Sequence, residues 1–203
     1  TESAANGPHE PMVTSTVSDV QRIRVAASAE DVRRTVLAVG EIMSSRPAGD
    51  RVIALDAEWD TKKNSTGRVV QSFKTALIQL GYRDSEDRMS TLLLQVFCHQ
   101  KLPQSLLSLF GDPDITFVGA SVSADLKRIG KDFQCTEITD RANYVNLGSY
   151  ARKRDVVQSG TASLEKLVQL TLGEILDKSP AVRLSKWSEK DLSSAQKKYA
   201  ALD

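Results

Sequence analysis

The sequence predicts an α/β protein in which a mixed central sheet, an antiparallel meander joined to parallel strands, is flanked by helices. Two observations lead to this class. Strand-like apolar segments cluster between residues 52 and 97, and shorter strands and helices then alternate before the chain ends in helices. At 203 residues, with 40% hydrophobic and 26% charged residues, the chain has the size and composition of one globular domain.

The N-terminal region divides into a tail and the start of the domain. Residues 1–18 are rich in Ser, Thr, Pro, Gly and Asn without an apolar period, so we expect a disordered tail and a domain covering residues 19–203. A short strand at residues 23–25 precedes a helix that Ser28 opens, with Asp31 three positions later as in a capping box. The helical spacing continues through Val32, Val36, Val39 and Met43.

An apolar run at residues 52–55 predicts a buried strand that leads into two acids. Asp56 and Glu58 follow the run, and the two-residue period of a strand places both carboxylates on one face at its end. Each acid taken alone is also typical of a solvated loop edge, because the chain contains 26 acidic residues.

The middle of the chain predicts further strands and a helix. Residues 75–82 and 91–97 complete an antiparallel meander with the first strand. A helix at residues 104–110 ends at a Gly-Asp-Pro-Asp segment, and a short buried strand follows at residues 115–118.

Three helical segments follow. Gly119 opens the turn into a helix whose start contains Asp125, although the helix dipole alone would also favour an acid there. In the closing segment of the chain, Tyr199 and Asp203 are four residues apart and therefore stack on one side of a helix. Between these two helices, a third keeps core-facing spacing until Gly173 stops it, through Leu164, Leu167, Val168, Thr171 and Leu172.

Five side chains from strand and helix therefore form a candidate site: Asp56, Glu58, Asp125, Tyr199 and Asp203. Mg²⁺ and Mn²⁺ prefer hard oxygen ligands, and two such ions about 3.5–4 Å apart can stabilise the attacking and leaving oxygens of a phosphoryl displacement. The pattern predicts a two-metal nuclease site. Tyr199 taken alone is also compatible with a core aromatic residue whose hydroxyl finds a partner.

The charge balance limits how the chain could contact nucleic acid. The 27 basic and 26 acidic residues leave a net charge of +1, which excludes the overall positive field of a non-catalytic nucleic-acid coat protein. Any contact must be local, although scattered solvated lysines would give the same pattern. The candidate patches are Lys62, Lys63, Arg68 and Lys74, and also Arg183, Lys186, Lys190, Lys197 and Lys198.

Cysteine usage and hydropathy indicate the compartment. Cys98 and Cys135 are far apart and beside apolar segments, so we expect buried thiols in a reduced, intracellular protein rather than a disulfide framework or a zinc site. No run approaches the roughly 18 apolar residues of a membrane span, so we expect no membrane association. Trp59 and Trp187 are expected to pack rather than to stack on bases.

A series of motifs extends from residue 52 to residue 203. They are Asp56-Ala57-Glu58-Trp59, residues 74–80, residues 118–126, residues 137–143, residues 163–168, Arg183-Leu184-Ser185-Lys186-Trp187 and Tyr199-Ala200-Ala201-Leu202-Asp203. Together they resemble the exonuclease domain of the Werner-syndrome type, within the DEDD superfamily of 3′-5′ exonucleases. That superfamily also includes the RNase D type and the proofreading exonucleases.

The resemblance implies both a fold and a mechanism. It implies an RNase H-like fold in which Asp56, Glu58, Asp125 and Asp203 hold two Mg²⁺ or Mn²⁺ ions while Tyr199 orients the attacking water. It also implies release of nucleoside 5′-monophosphates from a 3′ end. Werner-type similarity favours DNA over RNA as the substrate and the nucleus as the compartment.

The chain departs from the family pattern at three points. Lys198 stands where a histidine, five residues before the last aspartate, would mark the alternative subgroup, so the tyrosine subtype matches better. Residues 120–124 lack the asparagine or larger polar residue that often precedes the acid of the second motif. Family members continue past the last aspartate, so we expect the domain to be truncated at its C-terminal end.

Two alternatives to a DNA exonuclease stay open. One is an RNA-directed exonuclease of the same fold, because no short motif here encodes recognition of the 2′-hydroxyl. The other is a non-catalytic nucleic-acid-binding or scaffold module that retains the fold. Phosphate-loop, His-Glu-x-x-His and Gly-x-Ser-x-Gly motifs are absent from the sequence, which argues against ATPase, zinc-protease and serine-hydrolase chemistry.

Overall fold

The computed structural model describes residues 22–176 and 179–203, so the tail predicted for residues 1–18 lies outside the described residues. The described chain contains one mixed sheet with the strand order β1-β4-β3-β2-β5-β6. The strands are β1 Arg22–Ala26, β2 Val52–Lys63, β3 Val69–Arg83, β4 Met89–Gln95, β5 Thr116–Gly119 and β6 Asn143–Asn146.

The pairing within the sheet confirms the predicted mixture of antiparallel and parallel strands. β2, β3 and β4 form the antiparallel meander. β1 is parallel to β4, β5 is parallel to β2, and β6 is parallel to β5. The sequence did not predict β6, because its four residues Asn-Tyr-Val-Asn give too short an apolar signal.

Helices flank this sheet, as predicted. The helices of the described chain are α1 Ala29–Ser44, α2 Gln104–Phe110, α3 Val122–Phe133, α4 Ile138–Arg141, α5 Leu147–Arg152, α6 Leu164–Leu172, α7 Pro180–Arg183 and α8 Ser194–Leu202, with a 3-10 turn at Ala48–Asp50. Ser28 caps α1 as expected, because its side chain accepts a hydrogen bond from the backbone N–H of Asp31 at 3.1 Å.

One face of the sheet holds the larger apolar core. Alternate β2 residues Ile53, Leu55 and Ala57 enter it, and they pack with buried residues of α1, α2 and α3. The rings of Phe110 and Phe117 meet there with centroids 5.4 Å apart. Since each fully buried large apolar side chain contributes about 1.5–3 kcal/mol, this cluster supplies much of the stability of the fold.

The opposite face holds a smaller cluster beneath α8. Leu77 and Leu93 from the sheet pack against Trp187, Tyr199 and Ala200. Trp187 is fully buried, which confirms its predicted role in packing. This cluster seats α8 on the side of β2 that carries its acids.

β2 is longer than the sequence predicted. The expected end of the strand at Asp56 and Glu58 was wrong, because β2 continues to Lys63 and pairs with β3 through several register shifts. Beyond Ala54 the strand no longer pairs with β5, so among the described strands β3 alone pairs with this part of β2. The extension forms a largely exposed two-stranded arm whose turn contains Gly67 at φ 78°.

Helix α6 does not face the core as predicted. The helix begins at Leu164 and ends before Gly173 as expected, with Gly173 in the left-handed conformation. Its N-cap is Ser163, which was not predicted. Of its residues, however, only Leu167 is buried, and Leu172 is 66% exposed. The periodicity is amphipathic, but α6 lies at the periphery, and the described chain covers little of its apolar side.

The two cysteines differ in environment. Cys135 is buried as predicted, and burial raises the pKa of its thiol above the ordinary value. The prediction that Cys98 is buried was wrong: the residue follows β4 in a turn and is exposed. Within the two described stretches of chain, no helix has both the length and the apolar character needed to cross a membrane.

Candidate active site

Asp56 and Glu58 lie on the face of β2 opposite its core residues. Their neighbours Leu55 and Ala57 are both 3% exposed and point into the larger core, so the alternation of the strand turns both carboxylates to the α8 side. The acids follow Ala54, the last β2 residue that pairs with β5. Their backbone is held by pairing with β3, while both side chains line a cleft between β2 and α8.

A glycine at the end of β5 makes this arrangement possible. A Cβ atom on Gly119 would lie 2.6 Å from the backbone oxygen of Leu55, the residue that precedes Asp56. That distance is too short for any side chain, so only glycine allows the two backbones to approach here. Gly119 thereby brings α3, with Asp125 in its first turn, to the edge of the site.

Helix α8 supplies the last two predicted site residues. Ser193 and Gln196 form a reciprocal capping box that fixes the start of the helix. Tyr199 and Asp203 are one turn apart at its end, and the N–H of Asp203 donates to the carbonyl of Tyr199 at 3.0 Å. The serine and glutamine spacing was a readable capping signal that the sequence interpretation missed.

Three of the four predicted acids converge. Asp56, Glu58 and Asp203 each offer a carboxylate oxygen, and these oxygens all lie within 4.8 Å of one another. Asp125 lies outside this group of three. Burial and the charge of Asp203 raise the pKa of Asp125 to about 6, although Arg128 opposes the shift. The effect of Asp203 shows that Asp125 lies close to the group.

The phenol of Tyr199 stays protonated at neutral pH. Its residue is only 7% exposed, and burial, the charge and hydrogen bond of Asp203, and the charge of Glu58 all raise its pKa far above the ordinary value. Arg183 lowers that pKa, but by less. The hydroxyl can therefore donate a hydrogen bond in this site but cannot serve as a base.

The donor set fits divalent cations. Carboxylate oxygens gathered at this spacing match the hard-oxygen preference of Mg²⁺ and Mn²⁺, and a bound cation would relieve the repulsion between them. Gln79 lies directly opposite Asp56 in the ladder between β2 and β3. It is 3% exposed, and neither polar atom of its amide has a hydrogen-bond partner among the described residues, which places an unused polar group beside the acids.

Asp60 is a further residue of the site that sequence reasoning missed. Its carboxylate accepts hydrogen bonds from the backbone N–H groups of Trp187 and Ser188 at 2.6 and 3.2 Å, and from the Ser188 hydroxyl at 2.5 Å. It therefore ties β2 to the segment that precedes α8. The run Asp-Ala-Glu-Trp-Asp contained this third acid, but its partners are 127 and 128 residues away in sequence.

Trp59 forms one wall of the site and does not belong to the core. The guanidinium of Arg128 lies over its ring at 3.7 Å from the centroid, which is a cation–π contact. Trp59 also lines a cleft of about 410 Å³ that opens between β2 and α8. The acids Asp56, Glu58 and Asp203 line the same cleft, together with Ser72, Arg183 and Tyr199.

The predicted basic patches divide between the surface and the interior. Lys62, Lys63 and Arg68 are exposed on the arm formed by β2 and β3. Lys74 instead turns inward, where its ammonium donates to the carbonyl of His99 at 2.6 Å and lies 3.9 Å from the centre of the Phe133 ring.

In the second patch, Arg183 lines the cleft, whereas Lys186 pairs with Glu189 on the surface at 3.2 Å. Lys190 and Lys198 are also exposed there, and Lys197 is half-buried.

A mixed sheet with acids on a central strand and on an apposed helix matches the arrangement that the resemblance to 3′-5′ exonuclease domains implies. Comparison with known proteins agrees, because a family model described as 3′-5′ exonuclease matches residues 37–203. The chain therefore belongs to the 3′-5′ exonuclease family.

Individual relatives support the same placement. The chain is 30% identical over 186 residues to a 3′-5′ exonuclease of Drosophila melanogaster. The aligned region covers 88% of this chain and 46% of that protein. The chain thus spans about half the length of the curated relatives it matches.

Two solved structures share the fold at low sequence identity. The RNase D of Trypanosoma brucei, solved in complex with RNA U12, superposes with a TM-score of 0.64 at 16% identity, covering 89% of this chain and 58% of that one. The Nibbler EXO domain of Aedes aegypti superposes with a TM-score of 0.62 at 20% identity, covering 93% of this chain and 84% of that one. The mixed sheet flanked by helices is therefore the fold of RNase D and related exonucleases.

Proposed function

We propose that this protein is a metal-dependent exonuclease that removes nucleoside 5′-monophosphates from the 3′ end of a nucleic acid. The observation that carries the proposal is the convergence of carboxylate oxygens from Asp56, Glu58 and Asp203 within 4.8 Å. Membership in the 3′-5′ exonuclease family supports the direction of digestion.

The residues have distinct proposed roles. Asp56, Glu58, Asp125 and Asp203 would hold two Mg²⁺ or Mn²⁺ ions, which when bound lower the pKa of water and neutralise charge on the leaving oxygen. Asp125 extends the group of three towards α3, where burial and then the charge of Asp203 raise its pKa. A bound cation would offset that charge.

The hydroxyl of Tyr199 would orient the attacking water. It stays protonated, it sits one helical turn from Asp203, and its ring packs 6.0 Å from that of Trp187, so its position is held from behind. Lys198, at the position where the alternative subgroup has a histidine, is exposed. The burial of Tyr199 and the exposure of Lys198 support assignment to the tyrosine subtype.

Arg183 would neutralise the phosphate of the terminal nucleotide. It lines the cleft with the acids, and its charge is felt at Tyr199. A guanidinium in this place suits a phosphate because it can donate two hydrogen bonds at once.

Digestion of 5′-labelled oligonucleotides tests the proposal. Asp56→Ala and Glu58→Gln should each abolish the Mg²⁺-dependent ladder of shortened products while the circular dichroism spectrum stays that of the parent. The matched control is Glu41→Gln, an exposed acid on α1 at the other face of the sheet, and it should digest normally. Full digestion by the Glu58→Gln variant would reject the assignment.

The sugar preference is a separate prediction. Resemblance to the Werner type favours DNA, whereas one structural neighbour is an RNase D solved with RNA. Matched DNA and RNA 12-mers in the same assay should show faster digestion of DNA, and faster digestion of RNA would make this an exoribonuclease. Binding without digestion of either would identify a non-catalytic module.

A further inference from the structure

A second cavity adjoins the active-site cleft on the α3 side. It has a volume of about 570 Å³ and lies between the edge of β3 and helix α3. Ser72 lines both this cavity and the cleft. The other shared wall is the stacked pair of Trp59 and Arg128, in which Trp59 faces the cleft and Arg128 faces the cavity.

The cavity concentrates positive charge in a chain whose net charge is only +1. Lys74, Lys127, Arg128 and Lys131 line it, against the single carboxylate of Asp132. That carboxylate is already engaged, because it accepts hydrogen bonds from the backbone N–H and the hydroxyl of Thr75, both at 2.7 Å.

Two of the four cations are available to a ligand. The Lys74 ammonium donates to the carbonyl of His99, and the Arg128 guanidinium donates to the carbonyl of Phe73 at 2.6 Å. Lys127 and Lys131, by contrast, are exposed one turn apart on the same side of α3. Within the described part of the chain, no carboxylate forms a salt bridge with either ammonium.

An aromatic ring completes the cavity. The Phe73 ring is 44% exposed and lines the cavity among charged and polar residues. A hydrogen bond from Arg128 to the Phe73 carbonyl holds its backbone. An exposed ring next to two available cations is a combination that binds single-stranded nucleic acid, because bases stack on the ring while the cations neutralise phosphates.

We propose that this cavity binds the single-stranded part of the substrate that lies upstream of the terminal nucleotide, with Lys127 and Lys131 on its phosphates and Phe73 against a base. The proposal rests on the proposed function, since it assigns the path by which a strand reaches the acids. Because Ser72 lines both the cleft and the cavity, a strand whose terminal nucleotide lies in the cleft would pass this side chain to enter the cavity.

Binding measurements test the proposal independently of catalysis. All proteins carry Asp56→Asn and are measured in EDTA, so that the probe is not digested. The probes are fluorescein-labelled oligothymidylate and oligouridylate 12-mers, each compared with the corresponding dinucleotide. Fluorescence anisotropy over a range of salt concentrations gives the affinity and its salt dependence.

The double substitution Lys127→Gln with Lys131→Gln should reduce the preference for the 12-mer over the dinucleotide about tenfold. It should also make the plot of log affinity against log salt concentration shallower by about 1.4, the value for two phosphate contacts on a single strand. Phe73→Ala should weaken 12-mer binding about tenfold without changing that slope, because stacking releases no counterions.

A matched control removes the same charge elsewhere. Lys153→Gln with Lys166→Gln changes two exposed lysines outside both cavities and should leave affinity and slope as in the parent. Equal losses in the two double variants, or no loss in either, would overturn the assignment of the cavity. Failure of digestion by the unsubstituted protein would instead reject the proposed function, so the two failures are distinguishable.

Discussion

The two faces of the central sheet have different tasks, although the same strands build both. On one face Ile53, Leu55 and Ala57 of β2 enter an apolar core closed by α1, α2 and α3. On the other face Asp56 and Glu58 stand beside a smaller apolar cluster under α8. The core face fixes the backbone of β2, so that the neighbouring acids keep their positions despite their mutual repulsion.

The α8 face of the sheet is stabilised by less apolar packing than the core face. Its cluster is smaller, and a chain segment distant in sequence reaches the sheet there through Trp187 and the hydrogen bonds that Asp60 accepts. Repulsion among acids opposes this docking unless cations are bound. Activity should therefore respond most to changes on the α8 face, and stability to changes on either face.

Removing the charge of one acid on the α8 face should cause the greatest loss of activity without a loss of metal-free stability. Asp203→Asn should reduce exonuclease activity by at least about 10²- to 10³-fold, because it removes a charge from the three converging acids. In EDTA its melting temperature should equal or exceed that of the parent, since the repulsion is relieved. Steady-state digestion and thermal melts measure the two quantities, and a clear loss of metal-free stability would contradict this picture of repulsion.

Truncating one large ring on each face compares the two clusters directly. Trp187→Ala and Phe117→Ala should each cost about 3–5 kcal/mol of unfolding free energy, because both rings are fully buried. Below both melting temperatures, Trp187→Ala should also lose activity, because the Tyr199 ring loses its neighbour, while Phe117→Ala stays active. Urea titration with activity assays on the folded fraction checks this, and equal activity losses would erase the distinction between faces.

Removing the Asp60 carboxylate tests the link between β2 and the segment before α8. Asp60→Ala should cost about 1–3 kcal/mol, because the N–H groups of Trp187 and Ser188 lose their acceptor. Its kcat should fall more than its KM rises, and Asp60→Asn, which keeps an acceptor oxygen, should restore most of the loss. If the two variants behave alike, the carboxylate does not position the segment.

The stability of the metal-free protein should depend on pH through the carboxyl group of Asp125. The folded-state pKa of Asp125, about 6, lies above its unfolded value near 4, so the folded protein keeps this proton longer. Between about pH 4 and 6 only the unfolded chain loses the proton, and the parent therefore loses stability relative to Asp125→Asn as pH rises. In EDTA the two melting temperatures should agree near pH 4 and separate by pH 6, with the variant higher.

The smallest expected effect lies outside both faces. Leu172→Ser on α6 should change stability by no more than about 0.5 kcal/mol, because the leucine is 66% exposed. The matched substitution Leu167→Ser, at the buried position of the same helix, should be clearly destabilising. Chemical denaturation measures both, and equal costs would place the apolar side of α6 in a packed environment.

The local elements of this protein were largely predictable from its sequence. The helix at Gln104–Phe110 and the boundaries of α6 lie where periodicity and glycine placed them, because helix caps and turns depend on neighbours within four residues. The length of β2 and the burial of α6 and Cys98 were not predictable. They depend on which distant segments pair with or cover these residues, and a short window of sequence contains no such information.

Sequence alone determined the order of the longer strands and helices, though not β6, and the spacing of Asp56 with Glu58 and of Tyr199 with Asp203, because the strand and helix periods act over a few residues. Tertiary packing brings three acids together with Asp125 beside them, and it lets Asp60 tie β2 to the segment before α8. The same packing engages the Lys74 ammonium with the carbonyl of His99 and leaves Lys127 and Lys131 exposed on α3. Those outcomes depend on chain segments up to 128 residues apart, which the packing of the sheet brings into contact.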